Sequence, residues 1–207
     1  YTQQQTEDFA TGGFSPDTVI IPTPAINATL TVSSDIIIDG FAPGQTVDDT
    51  TDIIQICANL HNYYASGLEI KLICPSGQSM ILHDDYFFTN PTWSSGYFGS
   101  PFTGITTGLD YCWTPTTNNP TIKYAMQTPS YYLSAYDTDE PFTNLLGCPL
   151  NGLWTLEILE VLNTPVGYLY NWSIDFADSL YLNNETFTPQ TINKEWLSDS
   201  TIVSSIG

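Results

Sequence analysis

Several groups of residues in this 207-residue chain have types and spacings suited to chemistry. Carboxylates come first. Asp137-Thr138-Asp139-Glu140 alternates oxygen donors along a loop, and Asp48-Asp49-Thr50-Thr51-Asp52 does so ahead of an apolar run. Calcium takes six to eight oxygens, and close acids repel unless a cation sits among them. Asp137, Asp139 and Glu140, with Asp48, Asp49 and Asp52, are therefore the candidate calcium ligands. Neither cluster has EF-hand spacing, and a solvated acidic loop is the plain alternative. His83 stands beside Asp84 and Asp85, an imidazole next to carboxylates. Hydrolysis would also need a nucleophile, and the chain has no G-x-S-x-G elbow and no cysteine in a nucleophile's setting. His61, at the end of an apolar run, is expected to make a structural hydrogen bond that fixes its tautomer. No catalytic residue is expected.

Cys57, Cys74, Cys112 and Cys148 allow three pairings. None lies in a CxxC, and two histidines make a thin zinc set, so two disulfides in an oxidising compartment are expected. From Asp84 to about Tyr124 the chain is rich in Gly, Pro, Thr and Asn and carries many aromatic rings. Trp93, Tyr97 and Trp113 are the candidate rings for stacking on a sugar or anchoring a partner; filling the open end of a core is the alternative.

Charge narrows the partners. Twenty-two acids stand against three bases, Lys71, Lys123 and Lys194, with no arginine and a net charge of -19. Phosphate backbones and anionic membrane surfaces both need cations that this chain lacks, so nucleic acid is excluded as a partner and an anionic bilayer would repel it. There is no P-loop. No apolar stretch approaches 18 residues, so no spanning segment is expected. Tyr1 is followed by nothing resembling a signal peptide, and the segment is expected to be mature or excised. Such an acidic composition suits an extracellular, saline setting.

The elements that must position these residues are strands. Apolar residues make up 42% of the chain, enough for a core, and they alternate with period two, without helical periodicity. Val19-Ile20-Ile21, ATLTVSS around Leu30 and Val32, and IIIDGF each read as extended. Ile54, Ile56, Ala58 and Leu60 are expected on one face of a strand, and Leu68, Ile70, Leu72 and Cys74 on one face of the next. A Pro75–Gln78 turn leads to MILH. SYYLSAY reads as a strand. So do GLWTLEILE, with Trp154, Leu156 and Ile158 on one face, and YLYNWSIDF, with Tyr168, Tyr170, Trp172, Ile174 and Phe176 on one face. Cys57 and Cys74 would point to opposite faces unless a bulge intervenes, which disfavours that pairing. Bridges to Cys112 and Cys148 would pin the aromatic loop, in an order the spacing leaves open. The pattern predicts an all-β, antiparallel sandwich. Residues 1–17 are expected to be a leader or linker, 18–178 the sandwich with a long loop at 84–120, and 179–207 an exit linker or the start of a following module.

Four motifs in order carry a resemblance: LHNYYASGLEIKLICPSGQSMILH (Leu60 to His83), GLDYCWTP (Gly108 to Pro115), GCPLNGLWTLEILE (Gly147 to Glu160) and GYLYNWSIDF (Gly167 to Phe176). Over roughly Ile20 to Ala177 the chain resembles the P-domain of proprotein convertases, in the variant found in large secreted surface proteins of gliding bacteria. The resemblance implies a jelly-roll, galactose-binding-like sandwich without catalysis of its own. It implies a place on the cell surface, in adhesion or surface assembly, among other modules of the same surface protein or a larger secretion assembly. An accessory domain stabilising a secreted subtilisin-like protease is the alternative, and a glycan-binding module using the aromatic loop is another. The chain departs from the family at Ala65-Ser66-Gly67-Leu68, where a Gly-Asp-Leu is usual. It departs again at Glu160, and at Asn163-Thr164-Pro165-Val166, where an acidic turn is usual. These changes remove carboxylates from the loops.

Overall fold

A computed structural model describes residues 12–25, 28–84, 97–99, 108–126, 132–161 and 166–181. Two antiparallel sheets face each other. One holds β1 (Gly12–Ser15), β2 (Val19–Ile21), β4 (Ile53–His61), β7 (Leu109–Trp113) and β9 (Gly167–Phe176), in the order β1-β9-β4-β7 with β2 also on β9. The other runs β3 (Leu30–Ile38), β8 (Gly152–Glu160), β5 (Leu68–Ile73), β6 (Ser79–Asp84). Among the described residues one short α-helix, α1 (Ile122–Ala125), lies beside β6. No described helix is long and apolar enough to cross a membrane.

Alternation builds the core. Trp154, Leu156 and Ile158 of β8 and Leu68, Ile70 and Leu72 of β5 are buried against Ile56, Ala58 and Leu60 of β4 and Trp172, Ile174 and Phe176 of β9. A buried indole N–H needs an acceptor. Trp154 Nε1 donates to the Leu150 carbonyl at 3.0 Å and Trp172 Nε1 to Ser34 Oγ at 3.0 Å. The turn after β5 depends on Gly77, at φ 86°, whose N–H donates to the Cys74 carbonyl at 2.8 Å.

Two bulges break the expected faces. The β4–β9 register slips between Ile53 and Gln55, so Ile53 is buried and Ile54 is 48% exposed. It slips again where Asn59 opposes Asn171 but Leu60 opposes Leu169. The extra residue, Tyr170, reverses parity within β9. Leu169 turns inward, while Tyr168 and Tyr170 leave the core face and stack on each other at 5.7 Å. Gly108 makes room, since a Cβ there would run into the Asn59 side chain and the Tyr170 ring.

Three boundaries also differ from expectation. Gly12–Ser15, read as leader, pairs with Trp172–Asp175 as β1. Leu109–Trp113, read as loop, forms β7 because Tyr111 and Trp113 alternate into the core. Within SYYLSAY the described residues form no strand; Tyr136 makes only an isolated bridge to Trp113. The expectations for 1–11, 182–207 and most of the aromatic loop, Trp93 included, fall outside the described residues.

Candidate functional site

The cysteines pair Cys57–Cys112 and Cys74–Cys148. Cys57 and Cys112 oppose each other directly on β4 and β7, on the outer, half-buried face of the five-stranded sheet. Cys74 and Cys148 are buried and join the end of β5 to the segment leading into β8. Cys57 and Cys74 are not paired, as expected, but the hairpin that expectation assumed is not made, because β4 and β5 belong to different sheets.

The acidic clusters serve the backbone. Asp52 Oδ2 accepts the N–H groups of Asp48 and Asp49 at 2.8 and 2.9 Å, and Asp49 Oδ1 accepts the Thr51 N–H and hydroxyl at 2.8 and 2.7 Å. Together they form a capping box on the 3-10 turn Thr50–Asp52. The Thr51 N–H, then its hydroxyl, hold the Asp49 carboxyl below its ordinary value. Asp48 Oδ1 accepts the Thr46 hydroxyl at 2.7 Å. In the other cluster Asp139 Oδ2 accepts the Asp84 N–H at 2.8 Å, and its Oδ1 pairs with Lys123 Nζ at 2.5 Å. Glu140 Oε2 accepts the Ile81 N–H at 3.0 Å, and the Glu140 N–H returns a bond to the Ile81 carbonyl at 3.0 Å. Asp137 Oδ1 accepts the Thr138 N–H at 2.9 Å. Burial opposes the charge of Lys123, but Asp139 and Asp84 outweigh it and raise its pKa. Among the described residues no group of three or more His, Cys, Asp or Glu side chains converges as a metal site.

Both histidines are buried. His61 packs between Tyr63 and Tyr168, and neither ring nitrogen has a hydrogen-bond partner, so the expected tautomer-fixing bond is not made. The bulge that turns Tyr168 outward also covers His61 with aromatic carbon, which offers no acceptor. His83 Nε2 lies 3.1 Å from the Ala65 carbonyl, and its Nδ1 has no partner. No described hydroxyl or thiol is hydrogen-bonded to either ring. Desolvation lowers the pKa of both. Glu160, also buried, accepts from Asn62 Nδ2 at 2.9 Å and so ties the end of β8 to the end of β4.

Trp113, expected as a stacking ring, is fully buried and shows no face to solvent. Its parity in β7 points it into the core. Tyr97 is half-buried, 6.4 Å from the Tyr64 ring. Of the three proposed ligand rings, Trp113 is thus withdrawn into the core, and Trp93 lies outside the described residues.

What the structure does gather is an open sheet edge. The edge of β6 is covered by Asp139 and Glu140 through the bonds above. The edge of β7 is covered by Tyr136, whose N–H donates to the Cys112 carbonyl at 2.8 Å and whose carbonyl accepts from Thr114 at 3.3 Å. The β1/β2 edge is split into strands of four and three residues with Pro16 between them, which blunts it. Among the described residues only β3 differs: it is nine residues long, without proline or lysine, and bonded to β8 on one side. Alternate residues of such a strand direct N–H and C=O away from the ladder. No described group bonds to them there.

Beside this edge lies a cleft of about 620 Å³ between β1 and β3, lined by Gly12–Asp17, Asp35–Gly40 and Tyr181. Its rim carries Phe14 at 61% exposure and Ile37 at 76%, with Leu153 directly opposite Ile37 on β8. Asp17, Asp35 and Asp39 are exposed around it. Part of this was legible: in an alternating strand the run Ile36-Ile37-Ile38 must turn its middle member to solvent. That Phe14 would join it required β1 to be seen as a strand.

No protein-family model matches the chain. No curated protein matches it. Among solved structures it is similar to a serine protease of Aeromonas sobria, at 14% identity and a TM-score of 0.37, over 78% of this chain. It is similar also to the Aeromonas sobria serine protease in complex with the chaperone ORF2, at 13% identity and a TM-score of 0.31, over 74% of this chain. In both cases the chain spans 27% of the length of the other chain.

Proposed function

We propose that this chain is a non-catalytic β-sandwich module of a secreted, surface-exposed protein, and that it acts in adhesion or surface assembly by holding another polypeptide. One observation carries the reading. Among the described residues the other sheet edges are covered or blunted, whereas β3 is open and flanked by the exposed apolar residues Phe14, Ile37 and Leu153. A long unpaired edge beside exposed apolar residues is a ready template for pairing with another chain. Two disulfides suit an oxidising compartment. A net charge of -19 discourages nonspecific contact with nucleic acid and anionic bilayers.

The test is to delete residues 12–181 from the secreted polypeptide that carries them and to measure cell attachment and the amount of that polypeptide held at the surface. Loss of both with normal secretion is the expected result. Unchanged attachment and retention would refute the reading. Where the deletion instead lowers a linked protease activity, the module is an accessory domain of that protease.

A further inference from the structure

The cleft lies along the C-terminal half of β3. Gly12 and Gly13 bring β1 close to its neighbours: a Cβ at Gly13 would run into Ile36 and Ile38, and one at Gly12 into the Ile174 carbonyl. At the far end Tyr181 packs on Phe41 at 4.6 Å and closes the wall. Between these limits the outward backbone of β3 forms one side of the opening.

Charge identifies the occupant. Asp17, Asp35 and Asp39 stand exposed around the cleft, and the described lysines are engaged elsewhere, Lys71 with Glu157 at 2.5 Å and Lys123 with Asp139. A second copy would bring another -19 charges to the same edge, so self-pairing is opposed. An extended segment bearing lysine or arginine would meet the three carboxylates. Its own backbone would satisfy the open side of β3, and apolar side chains at alternate positions would lie against Ile37.

We infer that the β1/β3 cleft binds a cationic, extended segment of a partner protein by strand addition to β3. This rests on the polypeptide-holding reading above and adds the mode and the partner's chemistry.

The probe is a fluorescein-labelled peptide, Lys-Thr-Val-Lys-Val-Thr-Val-Lys, titrated into the full 207-residue chain. Anisotropy reads binding, and hydrogen exchange reads its location. Saturable binding is expected, weakening about tenfold between 50 and 300 mM salt, with amide exchange in 30–38 slowed at least about tenfold. A peptide with glutamate for lysine, and one with proline at both central valines, are expected not to bind. The variant Asp17→Asn/Asp35→Asn/Asp39→Asn should bind at least about fivefold more weakly with an unchanged near-ultraviolet circular dichroism spectrum.

No binding, protection away from β3, or equal binding of the glutamate peptide would overturn the inference. So would a wild-type dimer with β3 protected in the absence of peptide. If the peptide fails while deletion of 12–181 still abolishes attachment, the strand-addition inference falls and the broader reading stands. If the peptide protects β3 while deletion leaves attachment intact, the broader reading falls.

Discussion

His61 is a buried imidazole with both nitrogens unbonded between two tyrosine rings. A neutral imidazole always carries one N–H, so at least one donor is buried at a cost of about 1–3 kcal/mol. Burial also depresses its pKa, and that of His83, below the ordinary value. The sign follows directly. Between the folded value and the ordinary one near 6.5 the unfolded chain binds more protons, so stability falls as pH drops through that window. Above it there is no penalty. Phe at 61 keeps the aromatic contacts and removes the titration. His61→Phe should therefore unfold with up to about one proton less uptake between pH 5 and 7, measured as the pH slope of urea stability against wild type. An unchanged slope would mean that His61 is solvated.

At this scale the sequence was legible where alternation ran unbroken. Trp154, Leu156, Ile158, Trp172 and Ile174 lie where period two puts them. Ile54, Tyr168 and Tyr170 do not, because a bulge adds one residue to one strand and leaves no mark in that strand's own pattern. The packing that selects the bulge, a tyrosine over Gly108 and Asn59, joins residues far apart in the chain.

Edge protection organises the elements. Asp139 and Glu140, candidate calcium ligands in the sequence, accept backbone N–H groups of a strand that lacks an outer neighbour. Glu140→Ala leaves the Ile81 N–H without that acceptor. It should cost about 1–3 kcal/mol in urea denaturation and add concentration-dependent association at β6. A loss below about 0.5 kcal/mol would show that water replaces the carboxylate. The disulfides differ in exposure. Cys57–Cys112 lies on the outer face, whereas Cys74–Cys148 is buried. Mild reductant without denaturant, followed by alkylation and mass spectrometry, should therefore label Cys57 and Cys112 and spare the other pair. Equal labelling of all four cysteines would contradict the assigned burial. Which cysteine joins which was not readable from spacing, because it depends on β4 and β5 belonging to different sheets.

For the whole molecule, a net charge of -19 means that compaction gathers like charges. Any cation should relieve this. With Asp139 and Glu140 engaged by backbone N–H groups and Lys123, millimolar calcium and magnesium are expected to raise the melting temperature equally. A calcium-specific rise, lost in Asp137→Ala/Asp139→Ala, would instead locate an ion in that loop. The fold class was legible in the sequence because strand periodicity and turn residues recur through most of the chain. The candidate site was not, because it is a property of the assembled sheets. An open edge is recognised only once two others are seen to be covered and a third blunted, and its apolar rim draws on β1, β3 and β8.

The most direct measurement compares two double variants in the secreted polypeptide by cell attachment. Phe14→Asn/Ile37→Asn alters the open edge, and Tyr124→Asn/Leu146→Asn alters exposed apolar residues elsewhere on the surface. Attachment should fall about tenfold or more in the first pair and stay at the wild-type level in the second, with both pairs folded by near-ultraviolet circular dichroism. Equal attachment by both variants would contradict the account.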